Sequence, residues 1–236
     1  FDELIDIAHA AGAWVHIDGA FGLWAAASPT YRHLMRGAEK ADSWVTDGHK
    51  WLNVPYDSGY CFVANPHAHM SALAYTTSYL PNLSEARDLK DWNIEMSRRA
   101  RGFSTWAALR QLGRDGVTAL VDQCCRAAEL LTLGIGDLNG AEVVWPPIIN
   151  QGLVRFLDPN PAATDADHDR QTDAVIANVL ASGEALFAGV TWHGRRAMRV
   201  SVSNYRTTEA DIARDLAAIE SAIAQVNTQA KVPTPA

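Results

Sequence analysis

The stretch SWVTDGHKWLNVPYDSG, residues 43–59, decides the fold because it joins a strand to a short cationic segment. Its first residues are rich in β-formers, and His49 and Lys50 follow directly where that run stops. Trp51 and a turn bounded by proline and glycine come next. A His-Lys pair on its own is usually two solvated side chains, so the flanking segments must show why it lies at a strand end.

Short helices and strands alternate around this stretch. AWVHID, residues 13–18, predicts a strand, and the helical spacing over residues 2–11 predicts a helix before it that Gly12 ends. GYCFV, residues 59–63, predicts a third strand, followed by a helix that starts at Pro66. Such alternation predicts a parallel α/β architecture.

Two unlike charges stand at the predicted strand ends. Asp18 closes the first strand, and Lys50 lies just past the second. In parallel α/β sheets, ligands gather at the carboxyl ends of the strands. Asp18 and Lys50 therefore form a candidate site.

The remainder of the chain is less regular. Residues 76–93 have no sustained period and predict a long surface loop of the kind that is functional or disordered. Thr208 and Asp211 fit a capping box. The later predicted elements are helices over residues 97–112 and 116–134, strands within 142–157, a polar linker over 160–169, a helix over 170–182, strands within 188–204 and a helix over 208–227.

This change of character predicts two domains. Residues 1–124 are interpreted as the C-terminal part of a large domain that includes the loop 76–93. Residues 125–228 are interpreted as a small α+β domain, and residues 229–236 as a disordered tail. Because the chain opens with Phe1 directly on a helical pattern without a cap, we expect a fragment whose N-terminal part is absent.

Composition excludes several classes of function. A formal charge of −7 gives no general attraction to nucleic acid or anionic membrane. No apolar run approaches the roughly 18 residues of a membrane span, and no signal peptide is apparent, so we expect a soluble, cytoplasmic protein. Three cysteines do not predict a disulfide framework. His67 and His69 lack a third ligand, so no metal site is expected.

The residue types at the strand ends suit one cofactor. A lysine amine can form a Schiff base with an aldehyde. Pyridoxal 5'-phosphate needs such a lysine, and it also needs a carboxylate against its pyridine nitrogen so that the ring stays protonated. Lys50 and Asp18 supply these two groups.

Four segments in order resemble successive blocks of the group II pyridoxal-phosphate decarboxylases, the family of the aromatic amino acid and glutamate decarboxylases. They are WVHIDGAFG, ADSWVTDGHKWL, SRRARGFSTWAALRQLG and MRVSVSNYRTTEADI. The resemblance implies a fold type I, pyridoxal-phosphate-dependent transferase-like α/β fold. It comprises part of the large-domain mixed or parallel sheet and a C-terminal α+β small domain. It also implies decarboxylation of an L-amino acid to its amine and carbon dioxide.

The resemblance assigns roles to four residues near the opening stretch. Lys50 resembles the Schiff-base lysine and Asp18 the partner of the pyridinium nitrogen. Ala20 is at the position of the small residue beside the ring, and His49 resembles the histidine near cofactor and substrate. Asp47 is hard to place, because a second anion near the cofactor phosphate would repel it unless it points away.

Three further residues receive roles from the same resemblance. Tyr79 lies where family members carry a tyrosine on a mobile catalytic loop, and a phenol is a suitable acid for protonating the product carbanion. Arg199 matches an arginine that binds the substrate α-carboxylate, for which a guanidinium fork is suited. Ser97 is a candidate contact to the phosphate from a partner subunit.

Alternatives stay open at this point. Another reaction of the same cofactor, amino transfer or oxidative deamination to an aldehyde, fits the same residues. A non-catalytic fragment or partner subunit is a third reading. The resemblance further implies a homodimer with its active site at the interface and a small-molecule amino acid substrate, whose identity the sequence does not reveal.

Overall fold

The computed structural model describes residues 1–74 and 88–229. The chain divides into two compact units, one formed by Phe1–Thr118 and one that begins at Ala119. Tyr79 and most of the predicted loop over 76–93 lie outside the described residues, as does nearly all of the predicted tail over 229–236.

The first unit contains a three-stranded sheet flanked by short helices. Its strands and helices are α1 (Asp2–Ala10), β1 (His16–Asp18), β2 (Ser43–Asp47), α2 (Gly48–Trp51), β3 (Gly59–Val63) and α3 (Pro66–Leu73). Short 3₁₀ helices cover Gly22–Ala27, Arg32–Met35, Ala38–Lys40 and Leu89–Trp92. Helix α4 (Arg101–Gly136) begins in this unit, and Gly113, at φ 63°, interrupts its helical geometry.

The sheet has the order β1-β2-β3. Strands β1 and β2 are parallel with Asp18 opposite Val45, as the alternation predicted. Strand β3 is antiparallel to β2, so the sheet is mixed, which is one of the two arrangements that the resemblance implied. The connection from β2 to β3 is too short for the crossover that a parallel neighbour requires, which forces the reversal.

A small apolar core lies beneath this sheet. Ile5 of α1 packs with Ile17 of β1 and with Ala38 and Ala41, and all four are buried. Asp42, just before β2, accepts a hydrogen bond from the Val15 amide at 2.7 Å. That hydrogen bond, with a second from His9, lowers the pKa of the Asp42 carboxyl. The two contacts hold the start of β1 beside the start of β2.

The second unit contains a four-stranded antiparallel sheet. Its elements after α4 are β4 (Ala141–Trp145), β5 (Gln151–Phe156), α5 (Asp165–Ser182), β6 (Ala188–Trp192), β7 (Arg195–Ser201) and α6 (Glu209–Gln229). The strand order is β4-β5-β7-β6. Helix α5 packs on β5 and β7, and α6 packs against α5. The side chains that fill this core include Val154, Phe156, Val175, Met198 and Ile219, all fully buried.

Three predicted boundaries need correction. Helix α5 begins at Asp165 rather than at 170, because Thr164 and Asp167 form a capping box inside the predicted linker. Part of the predicted loop, Leu89–Trp92, is a 3₁₀ helix capped by Asp88. The predicted helix over 97–112 begins at Arg101. The capping box of Thr208 with Asp211 is confirmed, since each residue accepts a hydrogen bond from the other's main-chain amide.

Cys61, Cys124 and Cys125 are not joined in disulfides. Cys61 is exposed on β3, whereas Cys124 and Cys125 are buried in α4. Burial raises the pKa of the Cys124 thiol to about 11. In the described parts of the chain, no helix is both long and apolar enough to cross a membrane.

A buried arginine ties β5 to the start of α5. The Arg155 side chain is only 2% exposed. Its guanidinium donates to Asp165 Oδ1 at 2.9 Å, to the Asp165 carbonyl at 2.9 Å and to Asp169 Oδ1 at 2.8 Å. The hydrogen bond to Arg155 is the main reason that the pKa of Asp165 is lowered.

Replacing this arginine is expected to destabilise the second unit. Arg155→Met removes all three hydrogen bonds and leaves the half-buried Asp169 without its cation, so we expect a loss of about 3 kcal/mol. Urea unfolding followed by circular dichroism measures it. Arg126→Ala is the control, because Arg126 lies 4.0 Å from Glu209 with both side chains exposed. That variant should change the free energy of unfolding by about 0.5 kcal/mol or less, and equal losses in the two variants would contradict the role of Arg155.

Candidate functional site

The candidate site lies at the carboxyl edge of β1 and β2. Because the two strands are parallel, with Asp18 opposite Val45, their carboxyl ends lie at the same edge of the sheet. The turn after β1 is bound to β2 by two main-chain hydrogen bonds, from the Gly19 amide to the Val45 carbonyl at 2.9 Å and from the Asp47 amide to the Ala20 carbonyl at 3.4 Å. Helix α2, which carries His49 and Lys50, begins directly after β2.

The main chain of α2 is fixed at both ends. The Ser58 carbonyl accepts hydrogen bonds from the amides of Gly48 at 2.8 Å and His49 at 3.2 Å. At the other end Asn53 has a positive φ of 51°, and its side-chain amide donates to the Lys50 carbonyl at 2.6 Å. These contacts satisfy main-chain groups that a one-turn helix leaves unpaired. The backbone of Lys50 is therefore held in one place.

The Lys50 amine is half-buried and has two neighbours of different character. Its Nζ lies 2.7 Å from Asp47 Oδ2, so the two side chains form an ion pair within α2 and its cap. The same atom lies 4.7 Å from the centroid of the Phe21 ring, in cation–π range. The side chain keeps 28% of its surface exposed, which leaves the amine accessible to a ligand.

His49 is more enclosed than Lys50. Its side chain is 12% exposed, and its ring stacks on Tyr56 with the centroids 4.1 Å apart. Nδ1 lies 3.0 Å from the Ser58 amide nitrogen. Nε2 lies 3.6 Å from Asp47 Oδ2, the oxygen that also contacts Lys50.

Asp18 presents its carboxylate at the same edge. It is the exposed last residue of β1, and its Oδ1 accepts a hydrogen bond from the Ala20 amide at 3.2 Å. Ala20 is half-buried in the turn. No hydrogen bond or ion pair among residues 1–74 and 88–229 joins Asp18 to Lys50 directly. The Asp18 carboxylate and the Lys50 amine therefore lie at the same edge of the sheet without pairing with each other.

A group of hydroxyls behind α2 was not foreseen from the sequence. Tyr60 and Thr105 place their hydroxyl oxygens 2.7 Å apart, and Ser58 Oγ lies 3.4 Å from each. A β-carbon on Gly48 would come within 1.8 Å of the Tyr60 hydroxyl. Gly48, between Asp47 and His49, was the sequence feature that could have indicated this packing, because a glycine within a helix often marks a place where another group comes close to the backbone.

The segment that contains Ser97 approaches the loop after α2. Arg99 donates to the Tyr56 carbonyl at 2.7 Å, and Arg101 donates to Asp57 Oδ1 at 2.8 Å. The Arg101 hydrogen bond is the main reason that the pKa of the Asp57 carboxyl is lowered. These arginines line a cavity of about 520 Å³ together with Ser58, Tyr60 and Thr105. Ser97 itself is exposed and does not line this cavity.

Two further predicted site residues belong to other parts of the chain. Arg199 belongs to β7 of the second unit, where it lines a groove of about 330 Å³ with Trp145, Leu153 and Trp192. The rings of Trp145 and Trp192 meet edge to face at 5.6 Å. Tyr79 lies outside the described residues. In the described residues, no group of three or more His, Cys, Asp or Glu side chains is arranged to hold a metal ion.

Solved structures identify the class of fold. The chain superposes on a structure of Oryza sativa TDC with PLP and tryptamine with a TM-score of 0.89 and 26% identity. The superposition covers 95% of this chain and 47% of that protein. Mouse CSAD shares the fold as well, with a TM-score of 0.85 at 21% identity over 94% of this chain and 48% of that one. The fold is that of the fold type I pyridoxal-phosphate-dependent enzymes.

Sequence comparison identifies the family. Residues 1–157 match the family described as the pyridoxal-dependent decarboxylase conserved domain, and the chain belongs to that family. It is 32% identical over 193 residues to tyrosine/DOPA decarboxylase 1 of Papaver somniferum, which is 77% of this chain and 37% of that protein. It is 30% identical over 195 residues to 4-hydroxyphenylacetaldehyde synthase of Rhodiola rosea, 80% of this chain and 38% of that protein. The chain thus spans less than half the length of these relatives.

The close approach at Gly48 gives a testable consequence. Gly48→Ala places a methyl group against the Tyr60 hydroxyl and ring, so we expect a loss of about 2 kcal/mol in the free energy of unfolding. Gly102→Ala is the matched control, because a β-carbon there meets nothing within 4 Å and alanine favours a helix. Thermal or urea unfolding compares the two, and a Gly48→Ala protein as stable as Gly102→Ala would refute the tight packing.

Proposed function

We propose that this protein decarboxylates an L-amino acid with an aromatic side chain, releasing the amine and carbon dioxide with pyridoxal 5'-phosphate as cofactor. The observation that carries the proposal is the position of Lys50, whose accessible amine lies at the carboxyl edge of β1 and β2 within the segment that matches the family. The aromatic preference is supported by relatives named for tryptophan, tyrosine or DOPA.

The residues at the edge fit this cofactor. Lys50 offers an amine whose ion-pair partner can be exchanged, and Phe21 supplies an apolar face beside it. Asp18 offers an exposed carboxylate at the same edge, and Ala20 leaves room beside it because its side chain is a single methyl group. Lys50 would hold the aldehyde carbon, and Asp18 would hold a proton on the ring nitrogen.

The bound cofactor would supply an electron sink for the negative charge that remains at the α-carbon when carbon dioxide leaves. The other tasks fall to this chain's side chains. Arg199 would bind the α-carboxylate through its guanidinium fork, and His49 would position the substrate. Tyr79 would deliver a proton to the α-carbon. Ser97 is proposed as a contact to the phosphate from a partner subunit.

The proposed function also implies a domain assignment for the two parts of the chain. We infer that the predicted domain over 1–124 is part of a large cofactor-binding domain and that 125–228 is the small α+β domain of the fold type I enzymes. The four-stranded antiparallel sheet with its packed helices supports the second assignment. We further propose a cytoplasmic homodimer whose two chains share each active site.

Removal of the Lys50 amine tests the cofactor assignment. Purified protein incubated with pyridoxal 5'-phosphate should show a visible absorption band, and borohydride reduction should leave the cofactor mass on the peptide that contains Lys50. Lys50→Ala should lose both signals and lower the rate of amine formation by at least about 10³-fold. Lys40→Ala is the control, since Lys40 pairs with Asp2 and Asp6 away from the strand ends. A Lys50→Ala protein that keeps the band would refute the assignment.

A second candidate function is oxidative conversion of the amino acid to an aldehyde. The observation that favours it is the 30% identity to 4-hydroxyphenylacetaldehyde synthase. Against it stands Tyr79, because the family resemblance associates a phenylalanine at this position with aldehyde formation in some relatives, so a tyrosine favours simple decarboxylation.

Product analysis separates the candidates. With aromatic L-amino acids, the unaltered protein should release amine and carbon dioxide in equal amounts. Tyr79→Phe should lower amine formation by about 10²-fold, as expected for loss of a general acid, and should raise the share of aldehyde. Chromatography with mass detection measures amine, aldehyde and keto acid together. Keto acid as the main product would indicate amino transfer, and cofactor binding without any product would indicate a non-catalytic subunit.

A further inference from the structure

Asp47 contacts both Lys50 and His49 of the candidate site through one atom. Its Oδ2 lies 2.7 Å from Lys50 Nζ and 3.6 Å from His49 Nε2. All three side chains are at least two-thirds buried. The carboxylate is therefore placed to pair with either neighbour. The shorter distance shows that its ion-pair partner in this structure is Lys50.

The hydrogen bonds of His49 direct its second nitrogen toward Asp47. His49 Nδ1 lies 3.0 Å from both the amide nitrogen and the carbonyl oxygen of Ser58, so it can accept from the first or donate to the second. A cationic imidazole carries a proton on both ring nitrogens. In that form Nδ1 donates to the Ser58 carbonyl, and the Nε2 proton faces the Asp47 carboxylate.

We propose that Asp47 is a positioning residue, a counter-ion that Lys50 and His49 share. In the cofactor-free protein the carboxylate neutralises the Lys50 ammonium. When Lys50 loses its positive charge, the carboxylate pairs with His49 instead and favours its cationic form. This second half rests on the proposed function, in which Lys50 must give up a proton and become an uncharged amine before it can attack the cofactor aldehyde. No bond to Asp47 forms or breaks, because only its charge partner changes.

The charges around His49 support this exchange. Within the described residues, the titratable side chains of Asp47 and Tyr56 contact the ring, and Lys50 acts on it through Asp47. Arg99 donates to the main-chain carbonyl of Tyr56. An opposite charge within about 4–6 Å favours the charged form of a group. While the Lys50 ammonium stands 2.7 Å from the carboxylate, it offsets that effect on His49.

The exchange can be measured without cofactor. Lys50→Met removes the charge and keeps a chain of similar length, so it imitates the loss of the Lys50 cation. NMR of the imidazole resonances against pH follows His49, whose signal is assigned by its disappearance in His49→Gln. We expect the midpoint of the His49 titration to rise by about one pH unit in Lys50→Met. The double variant Asp47→Asn/Lys50→Met should show no such rise.

Two controls make the result specific. His9 pairs with Asp42 at 3.0 Å, so its midpoint should be the same in all these proteins. Lys40→Met removes another ion-paired lysine and should leave His49 unmoved. Lys50→Gln replaces Lys50→Met if the latter does not fold, as judged by circular dichroism.

Two outcomes would overturn the proposal. One is an unchanged His49 midpoint after loss of the Lys50 charge, and the other is a rise that persists when Asp47 is replaced by asparagine. Both are independent of the proposed function, because no cofactor is present. A protein that fails to attach pyridoxal 5'-phosphate at Lys50 would refute the function while leaving the shared counter-ion intact.

Discussion

The parallel pairing of β1 with β2 is the constraint on which the candidate site depends. Two parallel neighbours end at the same edge of a sheet, so the pairing of Asp18 with Val45 brings residues from distant parts of the sequence to one place. Had β1 and β2 been antiparallel, Asp18 and Lys50 would lie at opposite edges. The main-chain hydrogen bonds from Gly19 and Asp47 then secure the turn against the neighbouring strand. Chemistry at this edge is thus a consequence of strand direction.

Charge compensation is the second organising feature of the site. An anion next to a phosphate-bearing cofactor is unfavourable when judged from the sequence, because like charges repel. In the structure the Asp47 carboxylate is turned onto Lys50 and is neutralised by it. The side chain therefore adds no uncompensated charge to the edge. In the cofactor-free state Asp47 therefore lies two residues before His49 without leaving an unpaired negative charge at the edge.

Most of the local structure followed from sequence patterns, and the failures have physical causes. The direction of β3 was left open because a run of β-formers such as GYCFV specifies a strand but carries no sign of its direction, which the short connection from β2 decides. The T-x-x-D capping box was recognised at Thr208 but not at Thr164, where the surrounding polar residues resembled a linker. In the site, Lys50, His49 and Asp18 could be named from sequence because their chemistry is distinctive. The neighbours Phe21, Ser58, Tyr60 and Thr105 could not, since their contacts arise only from folding.

The main-chain hydrogen bonds of Ser58 determine how much sequence variation the site tolerates at this position. The atoms that hold α2 and His49 at this point are the main-chain carbonyl and amide of residue 58. Every amino acid except proline supplies both, so the hold on the helix does not depend on a hydroxyl. The side chain itself is 1% exposed, which restricts its size. Divergent sequences can therefore preserve the geometry around the reactive lysine while this position drifts among small residues.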